Sequence, residues 1–146
     1  MRQTDHRYPV FQKLTDLGVR LSRTRREVLA LLSEASAPLS VPMMLESLEE
    51  KGKRPNKTTV YRELEFLKRI GIVEELTLRN DIALYELAGP HHHHLVCVDC
   101  GTVRDVSVPD ESLVREERRI ERKEGFRIID HSLEFLGLCG GCRQKA

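Results

Sequence analysis

Apolar residues recur at helical spacing through the first half of the chain and then give way to strand-like runs. Thr24-Arg25-Arg26-Glu27 has the S/T-x-x-E form of a capping box, and Val28, Leu29, Leu31 and Leu32 follow it. This predicts a helix ending near Ala37-Pro38. Ser40 is placed to cap a second helix, with Pro42 in its first turn, Met44, Leu45 and Leu48 on its buried face, and Gly52 as its stop. Asn56 or Lys57 starts a third. Val60, Leu64, Leu67 and Ile70 form its inward stripe, and Gly71 stands where a C-terminal glycine belongs. An earlier helix is expected over residues 8–17, stopped by Gly18.

After Gly71 the period changes. Residues 72–78 and 82–87 flank Arg79-Asn80-Asp81 and read as a β-hairpin. Three helices followed by a hairpin make the winged helix-turn-helix layout, in which the helix over residues 58–70 enters the major groove. Ala88-Gly89-Pro90 interrupts both periodicities and is the expected hinge. The domains are therefore expected at 1–88 (DNA binding) and 91–146 (dimerisation and metal binding), with 88–90 between them. In the second, residues 95–97 and 103–106 read as strands, and 109–124 as a solvated helix closed by Gly125. Residues 126–138 follow as one or two strands, with Ile129, His131, Leu133 and Phe135 alternating onto one face. The fold class is α+β: an N-terminal winged helix-turn-helix domain, then a small α/β domain.

Charge sharpens this division. Residues 1–72 carry 14 Lys/Arg against 9 Asp/Glu, and the remainder carries 10 against 14. A basic front suits a polyanion and an acidic back suits cations. On the third helix, Thr58, Thr59, Tyr61 and Arg62 occupy the end that reaches base edges. Arg62 is suited to a bidentate bond to guanine and Tyr61 to a thymine methyl. Arg54 and Lys57, with Arg23, Arg25 and Arg26, are placed for phosphates. The absence of Trp and an aromatic content of 5% argue against large aromatic binding platforms. No apolar run approaches the roughly 20 residues that cross a bilayer, and the N-terminus has no signal-like stretch, so a cytoplasmic location is expected.

The four cysteines form two CxxC pairs, Cys97/Cys100 and Cys139/Cys142. Reduced thiols at that spacing supply the four sulfurs of a tetrahedral structural zinc site. Such a site is closed, so His91-His92-His93-His94 suggests a second metal held by nitrogen and oxygen. A zinc hydrolase needs an open position and an acid/base motif, and neither H-x-E nor H-E-x-x-H occurs, so no catalytic residue is assigned.

The stretch from His91 through Cys97-Val98-Asp99-Cys100-Gly101 resembles the signature of the ferric uptake regulator superfamily. So do Gly125-Phe126 before Asp130-His131, Gly137-Leu138-Cys139 before Cys142, residues 18–22 before Arg25-Arg26, and Thr59-Val60-Tyr61-Arg62. The resemblance spans about Leu14 to Cys142. It implies a homodimeric, metal-dependent repressor that closes on an AT-rich palindrome in double-stranded DNA. Arg20 would enter the minor groove, and Tyr61 and Arg62 the major groove. It implies a regulatory metal on Glu86, His92, His94 and Asp105, and a second metal on His91, His93, His131 and a helix carboxylate. That carboxylate position falls on or near Val114, with Glu111 one turn earlier as the candidate. The chain departs from the family at Ser36-Ala37-Pro38-Leu39-Ser40, where a histidine ligand usually stands; Glu74 is the candidate to replace it. With no spare cysteine, and with Glu86 where peroxide sensors carry Asp, iron(II) is favoured over manganese(II) or zinc(II) as the regulatory ion. The alternatives are a zinc, manganese or peroxide sensor, or a constitutive DNA binder whose zinc is only structural.

Overall fold

The computed structural model describes residues 7–77 and 81–145, and the side chains from Val10 onward within the first stretch. Arg79 and Asn80 of the expected hairpin turn lie outside the described residues. The chain divides into two compact units, Met1–Gly89 and Pro90–Ala146.

The first unit begins with α1 (Arg7–Asp16), α2 (Arg23–Glu34), α3 (Val41–Glu50) and α4 (Lys57–Arg69). The start of α2 differs from the expected capping box. Ser22 is the cap, its hydroxyl accepting from the Arg25 amide at 3.2 Å, so the helix opens before Thr24 and ends at Glu34. Ser40 and Asn56 cap α3 and α4 through the same kind of bond, to the amides of Met43 and Thr58. Val60, Leu64 and Leu67 are fully buried and pack with Leu14, Val28, Leu29, Met44 and Leu48. Gly71, at φ 72°, takes the left-handed turn that ends α4. Strands β1 (Val73–Thr77) and β2 (Ala83–Leu87) pair antiparallel as the wing. Leu39 and Tyr85 exchange backbone bonds of 2.9 and 2.8 Å, which ties β2 to the segment before α3.

The second unit contains β3 (His93–Cys97), β4 (Val103–Val106), α5 (Asp110–Glu124), β5 (Glu134–Gly137) and α6 (Gly140–Arg143). The sheet order is β4-β3-β5, with β4 antiparallel and β5 parallel to β3. The expected strand over residues 126–133 does not form; regular pairing is confined to β5, and Ile129 is 91% exposed. Only five described residues of this unit are buried: His93, His94, Cys97, Val103 and Cys142. Four of the five bear metal-ligand side chains, so this unit has almost no hydrocarbon core of its own. Among the described residues, no helix is long and apolar enough to cross a membrane.

Candidate metal centres and nucleic-acid interface

Strand pairing builds the sulfur cluster. Cys97 ends β3 opposite Gly137 of the parallel β5, which brings Cys139, two residues on, beside it. The Cys139 amide donates to the Cys97 Sγ at 3.3 Å. Cys100 follows in a turn closed by Gly101, and Cys142 lies in α6. The four Sγ atoms lie within 4.8 Å of one another, and Cys100 and Cys139 are 3.7 Å apart. A tetrahedral Zn–S bond of about 2.3 Å implies sulfur–sulfur edges of about 3.8 Å, so the donor set and its size fit zinc. Amides of Cys100 and Cys139 hold the Cys97 thiol down to about 6, and the Thr102 hydroxyl lowers Cys100. The Asp99 carboxylate raises Cys142. The thiolate is the ligand form, so an incoming ion must displace the thiol protons of the cluster.

The histidine run is divided by the pleat. Successive side chains of an extended chain point to opposite faces, so His92 and His94 share one and His91 and His93 the other. Register places Asp105 of β4 opposite His94. The Asp105 Oδ1 lies 3.6 Å from the His94 Nε2 and 3.9 Å from the His92 Nε2. The Nδ1 of His92 bonds the Pro90 carbonyl at 2.9 Å, which requires a proton on Nδ1 and makes Nε2 the ligand nitrogen of this ring. Glu86, the remaining expected ligand, stands on β2 of the first unit. There it is the cross-strand partner of Glu74.

On the other face, ring nitrogens of His91, His93 and His131 gather within 4.8 Å of one another. Burial, then the neighbouring His91 and His131, lowers the basicity of His93 and favours its neutral form. Glu111, the carboxylate expected here, does not belong to this group. The carboxylate that touches it is Glu117, whose Oε1 is 2.5 Å from the His131 Nδ1. Glu111 sits at the solvated start of α5, whereas Glu117 is in its middle, partly buried against His131. Sequence reasoning did not single out Glu117, because it is one acid among many on a highly charged helix.

The DNA-facing candidates lie together in the first unit. Lys57, Thr58, Tyr61 and Arg62 are exposed along the first turns of α4, and Thr59 is half-buried. The Lys57 ammonium is 6.0 Å from the Tyr61 ring centre, and Arg20 and Arg54 are also exposed. Arg25 is not free for phosphate. Its Nε donates to Glu63 at 2.6 Å, its Nη1 to the Arg20 carbonyl at 2.5 Å, and its guanidinium lies 4.2 Å from the Phe66 ring centre. Arg25 therefore ties the Arg20 segment to α4. Lys68 ties α4 to the wing through Glu75, and that bond raises its pKa. Arg25→Ala leaves Glu63, whose side chain is only 14% exposed, with the 3.4 Å bond from the Ser22 hydroxyl and no cation, and should cost about 1–3 kcal/mol. Arg26→Ala, at an exposed side chain, should stay within about 0.5 kcal/mol. Thermal melting of the metal-loaded protein compares the two, and equal shifts would contradict this assignment.

The sequence model of the ferric uptake regulator family matches residues 16–136. The ferric uptake regulation protein of Neisseria meningitidis is 33% identical over 135 residues, covering 91% of this chain and 92% of its own. The Vibrio cholerae ferric uptake regulator superposes with a TM-score of 0.75 at 29% identity, over 88% of this chain and 98% of its own. The Francisella tularensis ferric uptake regulator, solved with iron, gives 0.75 at 30% identity, over 86% and 96%. With its winged helix and four-sulfur cluster in place, this chain belongs to the ferric uptake regulator family.

Proposed function

We propose that this protein is a homodimeric, metal-responsive repressor whose regulatory ion is iron(II) and whose four-sulfur cluster carries structural zinc. One observation carries the reading: the ligand atoms of His92, His94 and Asp105 converge, with the Nδ1 of His92 engaged by the Pro90 carbonyl so that Nε2 is its metal-ligand nitrogen. Glu86 is the proposed fourth ligand, six positions before His92 in the chain. Imidazole mixed with carboxylate suits iron(II), manganese(II) or zinc(II), and the iron-named relatives favour the first. The missing N-terminal histidine has a candidate substitute in Glu74. Directly opposed like charges destabilise a hairpin, and a cation at Glu74 and Glu86 would relieve that cost.

Ligation by residues of both units would link metal occupancy to DNA affinity. Arg62 and Tyr61 would then read the major groove, Arg20 the minor groove, and Arg54 and Lys57 the phosphates. A palindromic, AT-rich operator fits a two-fold dimer with one reading helix per subunit. Exposed Leu95, Phe135, Leu136 and Leu138 on and beside the β3–β5 edge support a second copy as the partner. The protein is proposed to act in the cytoplasm, where DNA and reduced thiols coexist, and to carry no enzymatic activity.

The test is an anaerobic titration of iron(II), manganese(II) and zinc(II) into the zinc-loaded protein on an AT-rich palindromic duplex at fixed salt. Iron(II) should tighten DNA binding about 100-fold, a coupling of about 2.7 kcal/mol. Affinity unmoved by every ion would instead identify a constitutive binder.

A further inference from the structure

Arg25 is a basic residue of the DNA-binding unit whose charge is turned inward. Its side chain is 14% exposed, as is that of Glu63, and its Nε meets the Glu63 carboxylate at 2.6 Å. Val28 and Leu29 of α2 already share a core with Leu64 and Leu67 of α4, so this pair is not what joins the two helices. Its further effect falls on the connector before α2. The Nη1 of the same guanidinium donates to the Arg20 carbonyl at 2.5 Å. Val19 and Leu21 lean on the core at either side, and the bond sets the peptide plane between Arg20 and Leu21. The Ser22 hydroxyl, which caps α2, donates to Glu63 at 3.4 Å and makes a second link from connector to α4. The Phe66 ring, 4.2 Å away, supports the guanidinium plane. Glu63 directly follows Tyr61 and Arg62 in the chain, and the Arg20 side chain is exposed.

We infer that Arg25 is a positioning residue for groove reading: by gripping Glu63 of α4 and the Arg20 carbonyl in one rigid fork, it sets where Arg20 stands relative to Tyr61 and Arg62, and with that the preference for A·T pairs at the minor-groove contact. This rests on the proposed placement of Arg20 in the minor groove and of Tyr61 and Arg62 in the major groove. The minor groove is about 6 Å wide, and its floor tells G·C from A·T only by the guanine amino group. An arginine with a loose root still finds phosphates on the groove walls, which carry no sequence information. Loosening the fork therefore costs selectivity ahead of affinity. Lysine at position 25 keeps the charge but has no planar fork to hold two acceptors in different directions.

The test compares the metal-loaded, full-length parent with Arg25→Lys on an AT-rich palindromic duplex at fixed salt. Each A·T pair is exchanged in turn for G·C or for inosine·C, which has the major-groove edge of G·C without the amino group in the minor groove. Pairs read in the minor groove are those where G·C weakens parent binding, by about fivefold or more, and inosine·C does not. At those pairs the penalty should fall below about twofold in Arg25→Lys. Pairs where both exchanges cost the same are read in the major groove, and their penalties should stand. Glu63→Gln weakens the same fork without touching a basic residue. It should shrink the minor-groove penalty in the same direction and leave the salt dependence of affinity unchanged. A minor-groove penalty kept in full by either variant, with its circular dichroism spectrum intact, overturns the inference. So does a slope of log affinity against log salt that steepens by about one in Glu63→Gln, because Arg25 would then be a masked phosphate contact. A parent with no pair of the minor-groove kind sinks the placement of Arg20 itself, and this inference with it.

Discussion

Cys97→Ser should release the ion of the sulfur cluster and unfold Pro90–Ala146 while Met1–Gly89 stays folded. The second unit buries five described residues, and four of them are histidine or cysteine. Its long helix α5 buries none. Little hydrocarbon is removed from water, so hydrophobic transfer cannot offset the conformational entropy of ordering this unit. A structural zinc site contributes about 10–16 kcal/mol in small metal-binding modules, comparable with the whole stability of an ordinary domain, about 5–15 kcal/mol. Serine keeps the volume but supplies no thiolate, and the Cys139 amide loses its sulfur acceptor. The first unit has a core of Leu, Val, Ile, Met and Tyr drawn from α1 through β2, and no described residue of the second unit belongs to it. Metal analysis, amide hydrogen exchange and sedimentation on the full chain give the result. A variant that keeps its zinc stoichiometry and dimer mass would refute the prediction.

His92→Ala combined with His94→Ala should abolish the metal response of DNA binding and leave the fold standing. Neither side chain belongs to the sulfur cluster, and the β3–β4 ladder is made by backbone groups that alanine retains. The variant should bind DNA with the affinity of the metal-free parent, about 100-fold below the loaded protein, a loss of about 2.7 kcal/mol. Fluorescence anisotropy on a labelled duplex, with and without iron(II), measures the difference. A double variant that still tightens on DNA when iron(II) is added would end the assignment of these histidines as the regulatory ligands.

The helices were legible because burial in a helix leaves a simple period, and Val60, Leu64 and Leu67 obey it. The start of α2 was not, because Ser22 and Thr24 are both competent caps, and backbone geometry rather than residue type decides between them. The segment 126–133 shows the limit of alternation. Ile129, His131 and Leu133 alternate as a strand would, but a strand also needs a neighbour to bond, and β5 pairs with β3 over only four residues. The metal ligands split the same way. Cysteine spacing encodes its cluster almost completely, since two residues between thiols set the turn. Asp105 becomes a ligand candidate through β-register, and Glu117 through the way α5 packs, which no local spacing records. Arg25 and Arg23 are two residues apart and look alike in sequence. One is held by an acid and an aromatic ring from α4, and the other pairs with Glu27 of its own helix while its side chain lies mostly in water.

The pleat that parts His91 and His93 from His92 and His94 acts on four consecutive histidines, which makes this stretch tolerant of a one-residue change in length. Exchanging one histidine removes a single donor from a single cluster. Deleting one residue just after His94 would flip the whole run relative to Cys97, but His91 and His93 would then take the places of His92 and His94, and His92 that of His93, so only the place of His91 would pass to Pro90. A frame-preserving loss of one codon at this spot therefore removes no more donors than a point substitution does.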